Sequence, residues 1–334
     1  MVPVDLIAGV TVALFVLWLA LAGWVVGARV RHDRGLRRRE ADARALADGA
    51  DPARWPRRRL WRVADGEWVE GAAVAARELV TRQKGLLRHV AREQSFKRSH
   101  ALRVLTRGGS PFAFSLLRSA LVTGSEDVRA AVVAIAAEQR TPPADALLLD
   151  VLVDGAHPRS RTATELAPRA LHLIPELLAL ATHADAEVRY WALMLLRDAA
   201  ADPRAKAAAV AAAADSAGTV RSASARVLGA SSATDVQHVL RALLADDVFF
   251  VRSHAARAAG ETRAEGLAGD IAALLADQSW WVRAAAKEAL LVLGESGLQA
   301  AHRMLDADDA FAQDGAREVV SAFRRESPPL ELAG

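Results

Sequence analysis

The chain has 334 residues, 52% hydrophobic and 25% charged, a balance that excludes an intrinsically disordered protein. It contains no cysteine, so disulfides, thiolate nucleophiles and cysteine-based zinc sites are excluded, and its alanine-rich composition with 5% aromatic residues favours close-packed helices over sheets. The net charge of +3 conceals opposite halves: residues 1–110 carry 21 Lys and Arg against 11 Asp and Glu, residues 111–334 carry 22 against 29.

In chain order, the first predicted element is residues 1–28, a transmembrane anchor. Between Asp5 and Arg29 lie 23 uncharged residues. A helix of that length reaches roughly 34 Å, enough to cross a hydrocarbon core of ~30 Å. Arg29, Arg31, Arg34, Arg37, Arg38 and Arg39 come directly after it. The positive-inside rule then predicts a single-pass cell-membrane protein with its N-terminus outside and its body in the cytoplasm. A cleaved secretory signal, ending at the small residues Ala20-Leu21-Ala22, is the competing reading. No Lys or Arg precedes the apolar core, and apolarity continues to Val26, both against a signal.

Residues 29–96 read as a basic, Arg/Trp-rich juxtamembrane connector, partly helical. Arg37, Arg38, Arg39, Trp55, Arg57, Arg58, Arg59 and Trp61 are candidates for docking on an anionic leaflet, where each cation contributes about 1 kcal/mol. The alternative is that Trp55, Trp61 and Trp68 pack as a small cap on the first repeat, with the arginines solvated. Residues 68–94 have the apolar spacing of an amphipathic helix, with a break expected near Gly85. Gly108-Gly109-Ser110-Pro111 marks a helix stop.

Residues 97–326 are repetitive. Val-Arg recurs at Arg129, Arg189, Arg221, Arg252 and Arg283, and Arg159 falls midway in the one double-length gap. With each arginine as zero, small or apolar residues fill −1, +2, +3, +6 and +7, one face of a helix. A second apolar helix precedes each copy, as at residues 233–245 and 264–276, so each unit is a helical hairpin. Asp215, Asp246 and Asp277 stand at −6, where a carboxylate can accept turn and second-helix N–H groups. Gln313 replaces the arginine in the last copy, as a terminal repeat with only one neighbour allows. Residues 327–334 are a tail.

The segments LLADDVFFVRSHAARAAG (243–260) and LLADQSWWVRAAAKEALLVLG (274–294) resemble HEAT repeats of the short bacterial, PBS-lyase HEAT-like type. The resemblance implies an all-α fold, an α-solenoid of HEAT-like helical hairpins, here preceded by one transmembrane helix. It also implies that the arginines and aspartates form a structural ladder between repeats. Membrane-tethered bacterial HEAT proteins of this kind suggest an adaptor assisting a membrane enzyme complex.

Function is expected on the surface of the array. Positions −2 and −3 carry Phe249, Phe250, Trp280, Trp281 and Phe311, a candidate strip for a protein partner; packing of these rings against each other and the turns is the alternative. The nine histidines show no metal-ligand spacing, and there is no phosphate loop or nucleophile elbow, so no catalytic residue, metal or cofactor is expected. His254, at an inward position, is expected to be a core histidine. The acidic array argues against nucleic acid, and no small-molecule substrate is indicated. The expected function is therefore a membrane-tethered scaffold rather than an enzyme. The alternatives are a HEAT-like enzyme of the lyase or DNA-glycosylase sort, and a membrane-surface regulator acting through the connector.

Overall fold

The computed structural model describes residues 18, 28–30, 33–66, 69–92, 98–231 and 234–326. The predicted anchor, apart from Trp18 and Ala28, lies outside the described residues, as do Trp68 and the tail. Among the described residues there is no strand, and no helix is long and apolar enough to cross a membrane. The chain divides into two compact units, residues 1–147 and 148–334, with the division inside the helix Pro142–Asp154.

In the first unit, α1 (33–47) and α2 (Arg57–Ala64) precede α3 (Val69–Arg92), which packs on both α2 and α4 (Arg98–Arg107). Helices α5 (Ala113–Thr123) and α6 (Glu126–Glu138) form the next hairpin, with α6 lying against α4, and α7 (Pro142–Asp154) comes after it. Leu60, Leu79, Leu87, Leu102, Leu105 and Leu117 are fully buried, each contributing about 1.5–3 kcal/mol by leaving water. Residue 71 must be glycine, because a Cβ there would lie 2.1 Å from the carbonyl oxygen of Ala43 on α1. The expected break in α3 is a kink at Gln83, with φ −135° and ψ 28°, two residues before Gly85. Helix α4 stops at Arg107 and the chain turns through Gly109 at φ 68°.

Packing of α3 on α4 crosses the predicted boundary at residues 96 and 97. The helix expected in the connector, α3, is the first half of a hairpin completed by α4. Arginines fasten the preceding segment to it. Arg82 donates to the carbonyls of Pro52, Ala53 and Trp55, and Arg107 donates to those of Ala64 (2.9 Å) and Gly66 (2.6 Å). Arg82 and Arg107 therefore spend their donors on backbone carbonyls.

In the second unit, α8 (Arg159–Leu166) precedes five hairpins in two layers. The first layer holds α9 (Ile174–Leu180), α11 (Pro203–Ala212), α13 (Gln237–Leu244), α15 (Ala268–Ala273) and α17 (Glu295–Arg303). The second holds α10 (Ala186–Leu196), α12 (Gly218–Ala230), α14 (Phe249–Glu261), α16 (Trp280–Val292) and α18 (Ala310–Glu326), each packed on the next. Small side chains make this row close. A Cβ on Gly229 would meet Ala258 Cα at 3.0 Å, and one on Gly260 would meet Ala289 Cα at 3.1 Å. First-layer helices are shorter than their apolar stretches, because 3-10 turns at Thr234–Val236, Glu265–Leu267 and Leu274–Ala276 take up the ends.

Candidate functional site

The repeat arginines stand in the first turns of α10, α12, α14 and α16, and the aspartates in the loops just before α12, α14 and α16. Arg189 Nε and Nη2 donate to Asp215 at 2.8 and 2.7 Å, Arg221 to Asp246 at 2.6 and 2.9 Å, and Arg252 to Asp277 at 2.7 and 3.0 Å. Each guanidinium also donates through Nη1 to a carbonyl six residues back: Arg189 to His183 (2.8 Å), Arg221 to Asp215 (2.9 Å), Arg252 to Asp246 (2.7 Å) and Arg283 to Asp277 (2.7 Å). The aspartates close the turn by accepting from the N–H two residues on, at Ala217, Val248 and Ser279. Arg159 pairs with Asp185 at 2.8 Å and also with Glu187, while Arg129, among the described residues, makes only a long bond, 3.5 Å, to Gly124 O.

These contacts set the protonation of the ladder. The Arg189 hydrogen bonds hold Asp215 below the usual carboxylate range. Desolvation raises Asp246 and Asp277, but bonds from Arg221 and Arg252 and from backbone N–H groups outweigh it, so both are also lowered. Arg189, Arg221 and Arg252 are raised, first by the side-chain bonds to their aspartates. Their donors are spent on the fold rather than on a ligand.

The ladder extends further back than Val-Arg spacing suggests. Arg98 is 2% exposed and donates to Ala91 O (3.0 Å) and to Thr123 Oγ1 (2.9 Å), 25 residues on, the offset that separates Arg221 from Asp246. No valine precedes it, but its 31-residue distance from Arg129 was the available signal. At the other end, the carboxylate position due to Arg283 is Ala307, and the Arg283 guanidinium instead lies 4.3 Å from the centre of the Phe311 ring. Gln313 keeps the six-residue bond, donating from Nε2 to Ala307 O at 2.8 Å.

Above this ladder the first turns of α14, α16 and α18 carry the aromatic residues. Phe249 is 44% exposed, Trp280 and Trp281 each 59%, and Phe311 58%; Phe250 is half-buried, its ring turned toward Gly218. The rings pair edge to face, Phe249 with Phe250 at 5.6 Å and Trp280 with Trp281 at 4.9 Å. The pairing leaves on the order of 500 Å² of aromatic surface in water, as much as the largest apolar patch of a typical monomer. The same turns of α10 and α12 hold Glu187 and Thr219 at the matching position.

The connector candidates separate by exposure. Arg37, Arg38, Arg39, Arg57 and Arg58 are exposed, Arg59 is tied to Asp42 at 2.7 Å and Trp61 is half-buried. Trp55 is 9% exposed, with the Arg59 guanidinium 3.6 Å above its ring, so it packs inside the first unit and does not present its indole to a surface. His254 corrects the expectation of a core position: it is half-buried, bonded through Nε2 to Arg226 Nη2 at 2.9 Å, and lines an open pocket. Among the described residues no group of three His, Asp or Glu is placed to hold a metal.

Comparison with known proteins agrees with the repeat geometry. Residues 174–260, α9 through most of α14, match the family model for HEAT repeats, so this part of the chain is a HEAT-repeat domain. No curated protein matches the chain. Among solved structures, a crystallised engineered protein is 16% identical with TM-score 0.38, over 86% of this chain and 96% of its own. Human deoxyhypusine hydroxylase in complex with glycerol is 16% identical with TM-score 0.32, over 76% and 99%. The structure of Kap95p with RanGDP gives 14% identity and TM-score 0.49, over 89% of this chain and 44% of that one.

Proposed function

We propose that this protein is a non-enzymatic scaffold that holds a protein partner on the aromatic ridge formed by Phe249, Phe250, Trp280, Trp281 and Phe311. HEAT repeats support protein interaction in general. The observation that carries the specific reading is the exposure of four of these five rings at the first turns of successive helices, where earlier repeats place polar residues. Exposed aromatic surface costs free energy in isolation, and a partner that covers it gains about 25 cal/mol per Å². The test is recovery of the partner by the full chain and by Trp281→Ala with Phe250→Ala. Lost recovery with a retained melting temperature supports docking; full recovery with a lowered melting temperature returns the rings to packing.

We further propose that residues 1–28 tether the array to the cell membrane with the array on the cytoplasmic side, where it assists a membrane enzyme complex. The support is sequence alone: 23 uncharged residues and then a run of arginines. N-terminal sequencing of the mature protein and alkaline extraction of membranes test it. A start near Gly23, or full release by alkali, removes the tether. The exposed Arg37, Arg38, Arg39, Arg57 and Arg58 favour a second contact with anionic lipid, made by cations more than by indoles. It predicts binding to phosphatidylserine vesicles that is lost when these five are neutralised.

A further inference from the structure

A second surface of the HEAT domain lies on the second-layer helices, away from the ladder. The +5 positions of α12 and α14 hold Arg226 and Arg257, and Arg197 stands just past the end of α10. Together with His254, Ala258 and Glu261 they line an open pocket of about 180 Å³. The tight seam at Gly229 brings them together. With no side chain there, α14 approaches until Ala258 Cα would be 3.0 Å from an added Cβ, and the Glu261 carboxylate sits against the same glycine.

The charges of this pocket are not balanced. Arg197 is exposed and has no ion-pair partner among the described residues. Arg226 bonds through Nη2 to the His254 ring, while its buried Nε has no hydrogen-bond partner. Arg257 reaches Glu288 only at 3.3 Å. His254 leaves this positive excess unchanged: an Arg donor on its Nε2 requires the neutral ring, and burial together with the charges of Arg226 and Arg257 pushes its pKa down to about 4. Three guanidinium groups therefore line the pocket against one lining carboxylate, Glu261, with Glu288 outside the lining paired to Arg257. A buried N–H donor without an acceptor costs on the order of 1–3 kcal/mol, so an anion placed here is favoured by satisfying Arg226 Nε as well as by charge.

We propose that this pocket receives a carboxylate of an acidic peptide segment, an Asp or Glu side chain of the protein partner, held between Arg197, Arg226 and Arg257. This rests on the reading of the array as a protein-binding scaffold and names a second point of contact on it. The volume suits a single carboxylate group with part of its stem. Glu261 at the rim can accept a peptide N–H, and its negative charge disfavours the dianion of a phosphate ester. The excess of acidic residues over residues 111–334 disfavours a long polyanion such as nucleic acid.

The probe is a fluorescein-labelled hexaglutamate peptide titrated by anisotropy into the full chain in ~0.15 M salt, where exposed charges beyond about 8 Å are screened. The quantity read is the difference between the native chain and Arg197→Gln or Arg226→Gln. Arg197 is exposed, so its substitution does not endanger the fold, and melting temperatures accompany both. Each variant is expected to weaken binding about tenfold. The Trp281→Ala, Phe250→Ala variant should retain the native affinity, so failure of the ridge and failure of the pocket are told apart. Affinity unchanged in both arginine variants, or no binding to the native chain, overturns the proposal. Displacement by inorganic phosphate at a tenth of the required acetate concentration, at matched ionic strength, would assign the pocket to phosphate instead.

Discussion

Removing Asp246 should show how much the ladder stabilises the fold. Its largely buried carboxylate accepts two bonds from Arg221 and one from Val248 N, and its own carbonyl accepts from Arg252. Asp246→Ala leaves the Arg221 guanidinium, only 17% exposed at its side chain, with the carbonyls of Asp215 and Ser216 and no carboxylate. Breaking a fully buried pair costs about 3–5 kcal/mol; partial exposure here reduces that to about 2–3 kcal/mol, which includes the lost turn bond. Asp246→Asn keeps an acceptor for Val248 N and should cost about half as much. The assay is urea unfolding of the full chain monitored by circular dichroism, with a double-mutant cycle against Arg221→Ala and an expected coupling of about 1.5–2 kcal/mol. The exposed pair of Lys206 and Asp235, 2.9 Å apart, serves as control, with an expected coupling below about 0.5 kcal/mol. Equal coupling in the two pairs would refute the claim that the ladder differs from ordinary surface charge.

Three other outcomes are expected from the packing and the charges. Gly229→Ala forces a Cβ to within about 3 Å of Ala258 on α14, and since backbone must yield it should lower stability by roughly 1–3 kcal/mol, read as a drop in melting temperature. His254 has a folded pKa lowered to about 4 against ~6.5 unfolded, so the unfolded chain binds the proton more readily. Its contribution is complete above pH ~6.5 and is lost as pH falls toward 4. The shift corresponds to roughly 3 kcal/mol, discounted for solvent screening to about 1–2 kcal/mol, and His254→Gln should flatten the stability profile in that window. The lowered Asp215, Asp246 and Asp277 act with the same sign at lower pH, so acid unfolding of the His254→Gln chain should persist below pH 4. Replacing Trp281 and Phe250 by alanine should abolish partner recovery while shifting the melting temperature by only a few degrees, since Trp281 is mostly in water.

The helical hairpins were legible because their signal is local. Val220, Ala223, Ser224, Val227 and Leu228 recur at one helical spacing, and all five are buried. The ladder was legible from the 31-residue period, yet its start was not: Arg98 lacks the preceding valine and pairs with Thr123 in place of an aspartate. The boundary drawn at residues 96 and 97 follows the change in composition there, whereas the packing of α3 on α4 continues across it. Composition alone placed Arg82 and Trp55 in a basic connector, whereas the arginine satisfies carbonyls and the indole lies under Arg59. His254 was misread for a related reason. Its +2 position is interior in α12 and α16, where Ala223 and Ala285 are buried, but an imidazole is too large for that seam and turns out toward Arg226.

The aromatic ridge as a docking surface is the central claim. Photo-crosslinking in intact cells tests it most directly, with the reactive side chain placed at position 281 and, as control, at the exposed position of His238 on α13. The account predicts one discrete crosslinked protein from position 281 that is absent from position 238 and is lost when Phe250→Ala is added. Identical products from both positions, or none from position 281, would contradict it.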